Sequence, residues 1–142
     1  AVGEDHNWDM SNWPTLIDAL RSRGIQSPIA FIGRPEYSVW CPGGADLRGM
    51  DFSELLTLLR NAALIIGPSS GPIHLASQCG CKQVTWNGDG EPGDGGWREG
   101  MLRSRYALDW NPFGTPCKML DRWTWQPTVE EVASATQEML DA

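Results

Sequence analysis

The stretch "ALIIGPSSGPIHLAS", Ala63 to Ser77, decides the fold. It opens as a short apolar run ending at Gly67, the pattern of a strand covered on both faces. Two serines follow, then Gly71-Pro72, and His74 sits one turn into a new apolar run that Gly80 closes. Proline near the start and glycine past the end are the punctuation of a short helix. The stretch therefore reads strand, turn, helix, with small hydroxyl residues and a lone imidazole at the turn.

The same alternation extends on both sides. "WPTLIDALRSRG" has Leu16, Ile17 and Leu20 on one helical face and Gly24 as its stop. "PIAFIG", residues 28–33, is a second short apolar run, and "KQVTWNG" supplies a third over 82–87. "DFSELLTLLRNA" is an amphipathic helix in which Asp51 and Glu54 have capping-box spacing. "GRPEYSVWCPGGAD" reads as loop or broken helix, dense in proline and glycine. Helices alternating with buried strands predict a Rossmann-like α/β layer, a parallel sheet with helices on both faces and with 28–33, 63–67 and 82–87 as adjacent strands.

Two regions depart from this rhythm. Residues 88–126, including "GDGEPGDGGWREG" and "RWTWQP", read as an irregular glycine- and tryptophan-rich flap. "PTVEEVASATQEML" resumes as a closing helix over 127–142, capped by Thr128, with Val129, Val132 and Met139 inward. At the other end only Ala1-Val2 precedes a loop-like stretch to Trp13, so the strand that should feed the first helix is expected to be absent or truncated. An open sheet edge of that kind invites self-association.

A chain of 142 residues is long enough for one domain with its own core. A net charge of −7 argues against nucleic acid or acidic membranes as partners. It leaves room for a small anion bound by backbone amides. No apolar run is long enough to span a bilayer. Cys41, Cys79, Cys81 and Cys117 match no zinc spacing and read as buried thiols in a reducing compartment, with no metal expected. The eight tryptophans fit core or flap packing, and a stacking role for one or two fits equally well.

In open parallel sheets ligands collect beyond the carboxyl ends of the strands. The loop "GPSSGPIH" has the best chemistry there: Ser69, Ser70 and Gly71 let backbone pass close to an anion at a helix N-terminus. His74 could reach the same anion. A plain helix cap accounts for these residues equally well. No lysine follows the glycine as in a Walker loop, and the dinucleotide fingerprint is missing, which disfavours ATP hydrolysis and nicotinamide binding.

"SELLTLLRNAALIIGPSSGPIHLASQCGCKQVTWNG" resembles the signature of heptosyltransferase-like glycosyltransferases (family nine), in which Asp-Ser/Thr-Gly-x-x-His follows a strand. "NWDMSNWPTLIDAL" looks like that family's opening of its C-terminal domain, and "PTVEEV" like its closing helix, so the resemblance covers nearly the whole chain, least from Gly88 to Trp125. It implies the C-terminal half of a two-domain GT-B fold, binding a nucleotide-diphosphate sugar as substrate with no further cofactor. Ser69, Ser70, Gly71, Pro72 and His74 would then lie at the diphosphate and sugar, Met50 at the base, Glu36 at the ribose and His6 at a phosphate. Ser69 stands where the family usually has an aspartate, and His6 where it often has a lysine.

The expected function is the donor-binding half of a cytoplasmic glycosyltransferase. An N-terminal domain or separate acceptor-binding chain would supply the catalytic base, so the isolated chain is expected to be inactive. The alternative is a non-catalytic sugar-nucleotide or anion-binding module, favoured by Ser69.

Overall fold

The computed structural model describes residues 7–88, 111–120 and 124–142. Among these, four helices and five strands alternate: α1 (Asn12–Ser22), β1 (Ala30–Phe31), β2 (Ala45–Asp46), α2 (Phe52–Asn61), β3 (Ile65–Pro68), α3 (Gly71–Gln78), β4 (Gln83–Trp86), β5 (Cys117–Met119) and α4 (Val129–Asp141). Every strand pairing is parallel. The chain is an α/β fold of the Rossmann-like kind.

The sheet is divided. β1 pairs with β2 alone, while β3, β4 and β5 form a second sheet in that order. The expectation that 28–33 lies beside 63–67 is therefore corrected: no ladder joins β1 to β3 among the described residues. The carbonyls of Ile29, Phe31 and Gly33 accept from Ala45, Leu47 and Gly49. Residues alternate sides along a strand, so Ala30 and Ile32 turn their backbone groups to the opposite edge of β1. β2 falls in the stretch read as loop, and β5 in the stretch read as flap. Most of that flap, 89–110 and 121–123, lies outside the described residues.

The helical layers span both sheets. On one face α1 and α4 cover Val84 and Trp86, joined by Trp8, with Ile66 packed beside them. Trp86, Trp8, Trp13 and Phe31 form a chain of ring contacts with centroids 5.2, 4.9 and 6.0 Å apart, running from β4 to β1. On the other face Leu59 of α2, Ala76 of α3 and Cys81 pack with Ile32 and Ile65. A side chain at Gly44 would come within 2.6 Å of the Phe31 ring, so glycine is what lets β2 approach β1 here. Burying each large aliphatic side chain contributes about 2 kcal/mol.

The helix ends follow the sequence closely. Leu16, Ile17 and Leu20 are buried on α1, and Gly24 at φ +81 ends it. Thr128 and Glu131 complete a capping box at α4. Trp8 Nε1 donates to the Pro127 carbonyl at 2.9 Å, and Arg23 pairs with Glu130, fixing the first helix against the last.

Candidate functional site at the carboxyl edge of the strands

Parallel pairing puts three segments at the carboxyl ends of their strands: 33–38 after β1, 47–51 after β2, and 69–74, a turn with the start of α3, after β3. The first two are tied together, because Gly49 N donates to Gly33 O at 2.9 Å. Arg48 adds a second tie. Its guanidinium pairs with Asp46 at 2.8 Å and donates to Ser38 O at 3.1 Å. The Arg48 hydrogen bond holds the Asp46 carboxyl below its usual range.

Glu36 stands exposed in the turn that this network anchors. Met50 is half-buried just before α2 and lines a shallow depression with Ser53, Glu54, Thr57 and Leu58. His6 lies outside the described residues. Of the expected site residues, the structure brings side chains together at one place, the turn after β3.

There β3 continues to Ser69, whose N–H donates to Trp86 O at 2.8 Å. Ser70 then takes an extended conformation, φ −163 and ψ 174, which suits an N-cap residue. Its hydroxyl makes no cap bond. Ser69, 8% exposed, has its hydroxyl 3.4 Å from His74 Nε2. A distance of 3.4 Å is a weak contact, and it sets the buried Ser69 hydroxyl beside the imidazole. The plain-cap reading thus loses its side-chain bond.

Gly71 has no positive φ, and a Cβ there would meet nothing within 4 Å. Neither backbone strain nor internal packing calls for glycine at this position. What its missing side chain leaves open is the space in front of the α3 amides. Pro72 follows in the first turn, where its lack of N–H costs nothing. Burial pushes the half-buried His74 below its ordinary 6.5, so the ring is neutral at neutral pH. Open amides at a positive dipole end suit an anionic ligand, and His74 stands on the same first turn with its Nε2 toward Ser69.

Residues 1–98 match the sequence profile of glycosyltransferase family 9 (heptosyltransferase). The chain belongs to that family. The matched span includes Glu36, Met50 and the whole Ser69–His74 turn, while β5 and α4 lie beyond it. Neither a comparison with curated proteins nor one with solved structures gives a significant match. Family 9 ties this α/β fold to glycosyl transfer in general.

The sequence pattern did not single out the buried polar residues under the turn. Gln83 and Thr85 alternate along β4 and Asn87 follows it, and all three are almost fully buried. Alternation was visible in "KQVTWNG", but polar positions in such a pattern ordinarily mark a solvated face. Here α3 covers that face. Among the described residues no group of three His, Cys, Asp or Glu side chains could hold a metal, and no helix is long and apolar enough to cross a membrane. Burial, with a smaller contribution from Cys79, pushes the Cys81 thiol up to about 11, consistent with an inert core thiol.

Proposed function

We propose that this family 9 domain binds the nucleotide-diphosphate sugar of a GT-B glycosyltransferase. The observation that supports it best is the α3 N-terminus, where Ser70 makes no cap bond and Gly71 keeps the approach open. In this reading the diphosphate lies against the Gly71 and Ile73 amides, with His74 as a neighbouring donor. Glu36 offers carboxylate oxygens to ribose hydroxyls and Met50 an apolar surface to the base, on the loops that follow β1 and β2. His6 remains the candidate for a further phosphate contact.

The chemistry is displacement of a nucleoside diphosphate by an acceptor hydroxyl. Negative charge grows on the departing diphosphate, where fixed amides and the helix end stabilise it without reorganising. The acceptor and the base that takes its proton come from a companion N-terminal domain or chain. The donor carries its own leaving group, so the reading calls for no cofactor, and a cytoplasmic location goes with it as part of the proposal.

Ser69 favours a second reading. Its hydroxyl is buried against His74, so it does not replace the family's aspartate at the donor sugar. A charge-assisted bond to sugar hydroxyls would then be missing. This fits a sugar-nucleotide or anion-binding module without transfer activity.

Calorimetric titration with ADP, UDP and GDP tests the shared premise. One of them is expected to bind, and His74→Ala to weaken it by about 1–3 kcal/mol, the worth of a hydrogen bond to a charged group. Binding of none at millimolar concentration rejects both readings. Glycosyl transfer when the chain is joined to an acceptor domain separates the first from the second.

A further inference from the structure

α3 is a weak helix by its own composition. It has eight residues, begins Gly-Pro, and carries no acidic residue in its first turn or basic residue in its last. Helices this short are marginal in isolation, and Gly, Ile, His and Ser are poor or middling formers. Its direction is therefore set by what holds it.

Two buried side chains from outside the helix hold it by its carbonyls. Gln83 on β4 donates from Nε2 to Ile73 O at 3.1 Å. Thr115, just before β5, donates from Oγ1 to Ser77 O at 2.5 Å. The two carbonyls are four residues apart, about one helical turn. Thr115 is itself fixed, since Asn111 Oδ1 accepts from Thr115 N at 3.0 Å and Asn111 Nδ2 donates to Thr115 O at 2.8 Å.

Neither bond is needed to satisfy the carbonyl it reaches. Ser77 O already accepts from Gly80 N at 3.3 Å, and Ile73 O lies within the helix's own i to i+4 ladder. An apolar side chain at either position would avoid burying a polar group. The neighbouring residues on β4, Val84 and Trp86, are apolar where they face α1 and α4. Polar side chains appear on the face under α3.

We propose that Gln83 and Thr115 are positioning residues that clamp α3 at two points one turn apart and so aim the Gly71 amide and His74 at the ligand edge. Two attachments fix both the tilt of the helix and its rotation about its axis, which one cannot. The functional part of this inference rests on the diphosphate reading above; the clamp itself does not.

Thr115→Val and Gln83→Leu remove the donors at similar volume, and Thr115→Ser keeps the hydroxyl. Three measurements apply to each: thermal unfolding, amide hydrogen exchange resolved by residue, and titration with the nucleoside diphosphate that the unaltered chain binds. Thr115→Val is expected to weaken binding by about fivefold, the worth of one net hydrogen bond. It should speed exchange at residues 73–78 while α4 exchanges as before. Thr115→Ser should restore both, and the double variant should bind more weakly than either single one.

Unchanged binding in both single variants and the double overturns the proposal. So does exchange that rises evenly through α3 and α4, the mark of a general stability effect. If the unaltered chain binds no nucleoside diphosphate, the functional reading fails, and exchange alone judges the clamp. Acceleration confined to α3 supports it and its absence refutes it. Should Gln83→Leu not fold, the Thr115 pair decides by itself.

Discussion

α2 and α3 both start where a parallel strand ends, yet their first turns are finished differently. Before α2, Asp51 Oδ1 accepts from Glu54 N at 2.8 Å, closing the helix with its own chain. Before α3, Ser70 has suitable backbone angles and makes no such bond. α4 goes further than α2, with Thr128 and Glu131 bonded reciprocally. Side-chain caps close α2 and α4, whereas Ser11 before α1 and Ser70 before α3 make none. What sets α3 apart from α1 is its place at the carboxyl end of a strand, where open amides are what the proposed diphosphate would need. The proposed clamps from Gln83 and Thr115 fix the helix instead.

The strongest way to break this comparison is Gly71→Val. A Cβ at position 71 meets nothing within 4 Å, and the cost of a β-branched residue there comes from Pro72 behind it, which disfavours helical angles at the residue before. Nucleoside diphosphate binding is expected to vanish while the chain still unfolds cooperatively on heating, at a somewhat lower temperature. Binding equal to the parent by calorimetry would mean that the space before α3 is unused.

Acidity should act on the same turn in two opposite senses. The pKa of His74 is below 6.5 in the folded chain, so the unfolded chain takes up a proton first as pH falls. Its contribution to stability is complete above 6.5 and declines below it. A bound diphosphate favours the imidazolium, so affinity should rise on acidification, by about tenfold for each unit by which the ligand raises the pKa. NMR titration of His74 with and without ligand checks both signs. An affinity that falls with acid removes His74 from the diphosphate.

The cap difference itself can be weighed by truncation. Asp51→Ala should cost about 1 kcal/mol in thermal unfolding, and Thr128→Ala a similar amount. Ser70→Ala in the ligand-free chain should cost only a few tenths of that, since no cap bond is lost. Equal losses at positions 51 and 70 would erase the distinction between the helix ends.

The smallest effect is expected at Thr85. Its Oγ1 is buried and has no partner among the described residues, unlike the hydroxyl of Thr115. Thr85→Val should therefore change stability by less than about 0.5 kcal/mol, toward greater stability, in a denaturant titration. A clear loss would assign that hydroxyl a partner of its own.

The parts of the molecule written in local code were legible in the sequence. Gly24, Asp51 with Glu54, and Thr128 mark helix ends because capping acts within a few residues, and the apolar faces of α1 and α4 follow the helical period. Strand neighbours are a different matter. Nothing in "PIAFIG" says that it pairs with Ala45–Asp46 and not with Ile65–Pro68, because strand order is decided by distant packing. Ala45–Asp46 is itself too short to show any period.

The turn after β3 was legible as a strand giving way to a helix, but not in how its two serines are used. Two adjacent serines look alike in sequence, and only the folded chain turns Ser69 to His74 while leaving Ser70 uncommitted. Gln83 and Thr115 escaped notice for a related reason. Their partners are backbone carbonyls of a helix 10 and 38 residues away in sequence, which carry no side-chain signature.

The chain of aromatic rings across the α1 face has an optical consequence. Trp8 lies 4.9 Å from Trp13 and 5.2 Å from Trp86, with ring planes inclined at 88° and 56°. Indole transitions held this close and at fixed angles mix, and the mixing gives a paired circular-dichroism band that neither ring produces alone. Its sign and size depend on the mutual orientation of the segment before α1, the helix itself and β4. The ultraviolet spectrum thus carries a native gauge of how the β1 side of the molecule is seated on the β4 side, readable without any label.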